Sequence, residues 1–553
     1  METKNTFLAI MLSLLILLGY QYFFMPPPKP AGPVEQPAET ASVQTPAEPL
    51  TSTEPSDAAP PPAIESAPSP SAAPPSRPAR EVTVETSLYK AVLSEHGGGL
   101  KSFKLKKYRE SVTPDSPPKE LLFPETAADS SLLFGWGNGI ADQLPLFEAD
   151  TLDMTTTPGG EAVLTLRAEV APGLALTRSY RFQDQNYSID LTIAVENRSP
   201  SALQGSPILR LTNLPFGGTA EDRFVFHGPA LFLNGSLEEV PVKDLQAGQK
   251  SLGGTIEWLA YEDAYFMAGI IPAATAGQTA GLHLLGASKV RADLKGGADI
   301  LAPGGTKNYD YRLYFGPREL RLLKTAGANL DKGINFGWFD VLAKPTLYLL
   351  NFFNRFFHNY GVAIILVTVL FKLLFWPISH KGMKSMKTMQ KIQPKLAKLR
   401  EQCGDDRERL NQEMMNLYRT YKINPLGGCL PMLLQIPVFF ALYKVLLQTI
   451  ELRHAPFLLW INDLSAPDRL PVGFDIPFLG GIPVLTLLMG GSMFLQQKMT
   501  PSSADPAQAR IMLFLPVIFT FMFLNFASGL VLYWFVNNLL SIAQQSVINR
   551  QAD

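Results

Sequence analysis

A polytopic α-helical membrane bundle joined to a large antiparallel β-sandwich outside the membrane is the fold class this sequence predicts, and three observations predict it. Six strongly apolar runs read as membrane spans, five of them grouped after residue 359. The segment between about Glu81 and Phe315 alternates apolar and polar residues with period two. Lys and Arg crowd into a single loop between apolar runs. Composition agrees: 46% of residues are hydrophobic and 18% charged, below the ~25% charge of ordinary soluble domains. At 553 residues the chain is longer than one compact domain. A net charge of -1 gives no overall basic excess for nucleic acid. Two cysteines, Cys403 and Cys429, exclude a disulfide framework, a CxxC redox pair and a cysteine zinc site.

The first run, Phe7 to Phe24, is uncharged and roughly 18 residues long, enough to cross most of a ~30 Å hydrocarbon layer at about 1.5 Å per residue. Lys4 would suit a signal peptide, but no A-x-A-like cleavage site follows, so residues 1–25 read as an uncleaved anchor. Residues 26–80 are Pro, Ala, Ser and Glu with almost no aromatics, a composition that buries too little apolar surface to offset ordering entropy; they read as a disordered linker. Residues 81–330 form the β domain, with strands expected at 82–86, 89–95, 101–108, 162–170, 174–182 and 187–197, broken by the glycines at 97–99 and by the Pro-Gly-Gly at 158–160. Residues 331–358 mix Phe336, Trp338, Tyr348 and Phe352 with Lys344 and Arg355, the pattern of an interfacial amphipathic helix. A second span at 359–378, a cytoplasmic basic helical hairpin at 379–424, four further spans within 425–548 and a short tail at 549–553 complete the chain.

Charge placement orients the whole. The loop from Ser379 to Asn424 holds eleven Lys or Arg residues, whereas the loop from Glu451 to Asp475 holds only Arg453 and Arg469. The first loop is therefore cytoplasmic, which puts the β domain outside and both termini inside.

Charged residues within spans are costly, about 2.5–3.5 kcal/mol on insertion scales, so each is a functional candidate. Lys372, in the second span, has Thr368 one turn above it on the same helix face. Two readings stand for Lys372: a cation facing a polar cavity, or a side chain that snorkels past Pro377 to the cytoplasmic surface. Lys444, near the outer end of its span, reads as snorkelling. Tyr533, Asn537, Ser541 and Gln544 recur along one face of the last span, and Gln435 lies between Pro431 and Pro437. These stripes serve either helix–helix hydrogen bonding or a polar-lined cavity. In the hairpin, Met383, Met386 and Met389 share an apolar side with Ile392, Leu396 and Leu399, opposite a row of lysines. Such a face suits contacts with varied apolar partners, a nascent chain or a ribosome; the plainer alternative is a solvated loop that touches anionic lipid. No P-loop, HExxH or GxSxG stands in a usable context, so no catalytic residue, metal site or cofactor is expected. His454 and Asp463 share an outer loop and read as structural.

The stretches NPLGGCLPMLLQIPVFFALYKVL (424–446), ELRHAPFLLWINDLSAPD (451–468), FLPVIFTFMFLNFASGLVLYW (514–534) and GGTIEWLAYEDAYFMAGIIP (253–272) closely resemble the YidC membrane-protein insertase family. The resemblance covers the whole chain. It implies a bacterial inner-membrane insertase and chaperone that acts on nascent membrane proteins, alone or with the Sec translocon; the ribosome, targeting factors and membrane lipid are expected partners from the basic hairpin instead. It also implies that the outer domain is a periplasmic β-supersandwich. In this family a positive residue of the first core span, usually arginine, faces a hydrophilic groove; the matching position here is Lys372, with Thr368 one turn earlier. The family's aromatic groove contact corresponds to Tyr533 and Trp534. A secondary transporter and a sugar-binding envelope protein are the rival classes, although five core spans do not divide into paired half-repeats.

Overall fold

The computed structural model describes residues 64–66, 77–113, 115–216, 225–404, 406–421, 430–474, 476, 479–499 and 506–550. The expected anchor at 1–25, most of the linker, the NPLGGC stretch and the side chain of Met386 lie outside the described residues.

Alternating burial builds the β domain. Along Ser188–Asn197 nearly every second side chain is buried, the signature of a strand with one face on a core. This strand is central to a nine-stranded antiparallel sheet that runs Ser236–Glu239, Gly228–Leu233, Ile256–Glu262, Phe266–Pro272, Thr306–Pro317, Ser188–Asn197, Leu174–Gln183, Glu161–Ala171 and Glu148–Ala149. A second sheet of seven strands is organised on Ala202–Asn213, and a third of five holds Glu81–Glu85, Tyr89–Ser94 and Leu100–Arg109. The two larger sheets share one core, in which Trp258, Leu209, Ile193 and Leu294 are all buried. All six expected strands form within a residue or two. Pairing departs from antiparallel at two places: Glu81–Glu85 runs parallel to Asp153–Thr155, and Ile64–Ser66 parallel to Ala202–Gln204.

That last pairing also departs from the expectation of an unstructured linker, as does its end, where Arg77 and Arg80 hold the buried Glu95 carboxylate at 2.5 and 2.6 Å. A bare Pro/Ala/Ser composition does not register single strand pairings or ion pairs made with distant residues. The expected break at the glycines is present. Gly97 and Gly98 take left-handed conformations, and a Cβ on Gly98 would meet Arg178 Nη1 at 2.8 Å. Arg178 is itself fully buried and donates to the carbonyls of Gly97 and Leu132 at 3.0 and 2.5 Å.

Among the described residues, eight α-helices follow the sheets. Helix α1, Leu320–Ala326, ends at the left-handed Gly327. Helix α2, Asp340–Phe357, replaces the looser range expected for the interfacial helix. Its Ala343, Leu347 and Leu350 are buried at a spacing of three or four, whereas Tyr348, Phe352 and Phe356 on the far side are exposed. Burying each of the two leucines stabilises the helix seat by about 2 kcal/mol.

Helix α3, Tyr360–Cys403, differs from the expectation. The second span and the first arm of the hairpin are one continuous helix of 44 residues, passing through Pro377 and Pro394. Each proline removes one backbone bond, yet the helix continues through both. Helix α4, Arg407–Thr420, is capped by Asp406, whose carboxylate accepts from Arg409 N at 3.1 Å, and closes the hairpin. Helices α5 (Leu430–Gln448), α6 (Val484–Met499), α7 (Pro506–Phe523) and α8 (Ser528–Arg550) complete the bundle. Among the described residues, only the stretch Tyr360–Leu396 is long and apolar enough to cross a membrane by length and composition, while Gln435–Gln448 and Met512–Phe523 are shorter apolar helices. The fold therefore does not itself establish six spans.

The β domain and the bundle share their hydrophobic core. Arg453, in the outer loop after α5, lies over the rings of Tyr265 and Phe266 at 5.9 and 5.4 Å and donates to the Glu110 carbonyl at 3.1 Å. Lys444 of α5 interacts electrostatically with Glu239 of the β domain.

A polar cleft within the helical bundle

The helical repeat puts Thr368, Phe371, Lys372, Phe375 and Ser379 on one face of α3, at intervals of three and four residues. Gln435 and Val438 of α5 and Tyr533 and Asn537 of α8 face them, and together these residues line a cleft of about 30 Å³. The volume is that of one or two water molecules. Lys372 Nζ donates to Ser541 Oγ at 2.7 Å, and Ser541 Oγ donates in turn to the Asn537 carbonyl at 2.8 Å. Thr368 Oγ1 donates to the Ile364 carbonyl at 2.6 Å, which satisfies a hydroxyl in apolar surroundings without a partner from another helix. No ion pair to Lys372 occurs among the described residues, and no Asp or Glu lies in any of the five apolar runs after residue 359. Among the described residues the cleft therefore presents one ammonium, several neutral polar groups and aromatic walls. It has the means to bind and orient an anionic or polar group.

Thr368, Lys372, Gln435, Tyr533 and Asn537 are thus brought together, from three helices far apart in sequence. Trp534 is not. Its position beside Tyr533 on a helix turns it by about 100°, into an aromatic cluster with Phe439, Phe519 and Phe523 at ring distances of 4.9, 5.9 and 5.0 Å. Met383 and Met389 are half-buried. Met389 packs with Met414, Leu417 and Tyr418 against Ile392 and Leu396, so part of the expected methionine face closes the hairpin on itself. Sequence reasoning did not pick out Phe371, Phe375, Ser379 and Val438, although the three- and four-residue spacing from Thr368 marks the first three. The choice of Ser541 as the partner of Lys372 had no local signal.

Away from the cleft, Asp463 Oδ1 accepts from the backbone of His454 and from Ser465 N and Oγ at 3.1, 2.8 and 2.6 Å, which makes it a loop-shaping residue. No cluster of three or more His, Cys, Asp or Glu residues suited to a metal ion occurs among the described residues.

The chain matches two family descriptions, the YidC periplasmic domain over residues 81–349 and the 60Kd inner membrane protein over residues 352–553. It is 45% identical over 475 residues to the membrane protein insertase YidC of Syntrophobacter fumaroxidans, covering 85% of this chain and 86% of that one. To the membrane protein insertase YidC of Syntrophus aciditrophicus it is 42% identical over 558 residues, covering 99% and 100%. A crystal structure described as an active YidC insertase with the first transmembrane domain resolved aligns over 84% of this chain and 92% of that one, at 18% identity and a TM-score of 0.35. On two contiguous family matches and relatives above 40% identity along essentially its full length, the chain belongs to the YidC membrane protein insertase family.

Proposed function

We propose that this chain is a membrane-protein insertase that admits the polar flank of a nascent span into the cleft between α3, α5 and α8. The observation that carries the reading is the placement of Lys372: a cation inside an apolar bundle, held by Ser541 at 2.7 Å in a cleft lined by Thr368, Gln435, Tyr533 and Asn537. A carboxylate or carbonyl lodging there replaces part of its lost hydration by an ammonium hydrogen bond. The cleft shortens the apolar path for the flank. The substrate's own apolar residues, at about −0.3 to −0.6 kcal/mol each for Leu, Ile, Phe or Val, drive its release into lipid. Nothing in these steps requires a nucleotide, and the protein on this reading is not an enzyme.

The insertase acts in the bacterial inner membrane with six spans, the anchor at 1–25 and five from the bundle, with the β domain in the periplasm and the C-terminus in the cytoplasm. The excess of Lys and Arg between Ser379 and Asn424 supports that orientation. Nascent membrane proteins are its substrates. The Sec translocon, the ribosome and targeting factors are partners proposed from family membership and from the basic hairpin. The relatives are named insertases, which disfavours the transporter and sugar-binding readings. Photocrosslinking from Thr368, Gln435 and Tyr533 during synthesis of a short membrane protein tests the proposal. Adducts to the nascent span are expected at all three positions, and their absence at all three would overturn it.

A further inference from the structure

We propose that Gln544 is a second docking group of the groove, one that pairs with the main chain of the substrate's polar flank. The proposal rests on the insertase reading and adds to it both a residue and the substrate feature it reads. Gln544 sits on α8 between two residues that fasten α8 to α3. Lys372 Nζ donates to Ser541 Oγ at 2.7 Å, and Lys387 Nζ donates to the Asn549 carbonyl at 2.8 Å. Between these clasps the Gln544 side chain is fully buried, and neither its amide nitrogen nor its carbonyl oxygen has a hydrogen-bond partner among the described residues. On α3, His380 lies in the corresponding interval and has a buried Nδ1, also without a partner among the described residues. Among the described residues of α3 to α8, Thr486 Oγ1 is the remaining buried side-chain atom in that state. Unpaired polarity is thus concentrated along one helix seam, on the same helix pair as the cleft.

A buried amide that pairs with nothing is less stable than an apolar side chain of the same length. Its presence makes physical sense if a partner arrives. A primary amide offers a donor and an acceptor side by side, the complement of the N–H and C=O of an extended peptide. A polar flank entering a bundle has that need, because its backbone groups lose water before the segment has helical partners of its own. Lys372 donates only and distinguishes flanks by charge. Gln544 both donates and accepts, and engages a flank of any sequence once the seam parts at the Lys387 clasp. Under the proposed topology it lies on the cytoplasmic side of Ser541, where the flank enters.

The test uses the full-length protein in phospholipid vesicles, as wild type and as Gln544→Met, with three substrates sharing one apolar span. Their flanks are short, long and neutral, or long with consecutive prolines that remove backbone N–H groups. The ratio of long-flank to short-flank insertion rate is expected to fall roughly tenfold in Gln544→Met, the factor that one or two ordinary hydrogen bonds contribute. The proline flank, already slow with wild type, is expected to lose no more. A purely packing role predicts a more heat-stable Gln544→Met variant with an unchanged ratio, and that result overturns the proposal. If Gln544→Met accumulates poorly, a Gln544→Cys variant carrying Cys403→Ser and Cys429→Ser decides. A disulfide to a single cysteine in the stalled flank supports the proposal; no adduct from Gln544→Cys where Lys372→Cys gives one overturns it. Wild-type vesicles that insert none of the three substrates overturn the insertase reading instead.

Discussion

Replacing Lys372 by Ala removes the one cation among the described residues of the cleft while leaving its surroundings hydrogen-bonded. Ser541 Oγ, which accepts from Lys372 at 2.7 Å, keeps its own bond to the Asn537 carbonyl at 2.8 Å, and Thr368 keeps its bond to Ile364. The stability cost is therefore small, and an effect on insertion reads the charge. A carboxylate about 4 Å from the ammonium gains about 4 kcal/mol at an effective dielectric near 20. Desolvation of the carboxylate offsets a large part of this. A surplus of about 1.4 kcal/mol is a tenfold rate effect, and that is the expected loss for acidic flanks. A neutral flank gains little from the charge and is expected to change less than about twofold. Lys372→Arg keeps the charge on a longer planar head and is expected to retain most activity. The assay is protease protection of matched substrates that differ only in flank charge, at equal insertase abundance. If Lys372→Ala inserts acidic and neutral flanks equally well, the ammonium merely snorkels to the headgroups and the groove-cation argument is wrong.

Glu451 lies at the junction of the outer loop, the β domain and α2, where burial, with Glu319 adding to it, pushes its carboxyl up to about 7, and where Asn351 donates to it at 3.4 Å. The folded state holds this proton above the ordinary carboxylate range, so the site's stability is complete below that range and is lost as pH rises through about 7; thermal unfolding is expected to show that loss in wild type and a flatter profile with a higher midpoint at alkaline pH in Glu451→Gln. In the hairpin, Met389→Ser opens the contact with Ile392 and Leu396 and is expected to cost about 1–2 kcal/mol locally, seen as faster proteolysis between α3 and α4. Met383→Ser is expected to lower crosslinking to nascent chains without that proteolysis; unchanged crosslinking would leave the methionine face with a packing role alone. Deleting residues 81–330 is expected to leave insertion largely intact, whereas deleting α2 as well removes the buried Leu347 and Leu350 and is expected to abolish it; equal loss from both deletions would refute that division of roles.

Local pattern determined the elements, and charge bias supplied the proposed orientation. Strand boundaries such as Leu174–Gln183 and Ser188–Asn197 were legible because one buried face imposes period two on each strand by itself. A helix at α2 was legible at period 3.6, but its buried seat of Ala343, Leu347 and Leu350 was not, since the aromatic residues Trp338, Tyr348 and Phe352 that stand out in the sequence are exposed. Lys372 stood out because a charge among apolar residues is conspicuous wherever the chain goes.

What tertiary structure decided is which faces meet. The single helix through Pro377 and Pro394 was hidden because proline is locally biased toward a break, yet it removes one backbone bond without ending a helix whose turns form on either side. The parting of Tyr533, in the cleft, from Trp534, in the aromatic cluster, depends on the rotation of α8 about its axis, which packing sets and hydropathy does not. The pairing of Lys372 with Ser541 and of Arg453 with Tyr265 and Phe266 joins residues 169 and about 190 positions apart. Periodicity reports only the environment of a side chain on its own element. The partner that comes to it from elsewhere is chosen when the helices and sheets pack, by the energy of burying all their faces at once.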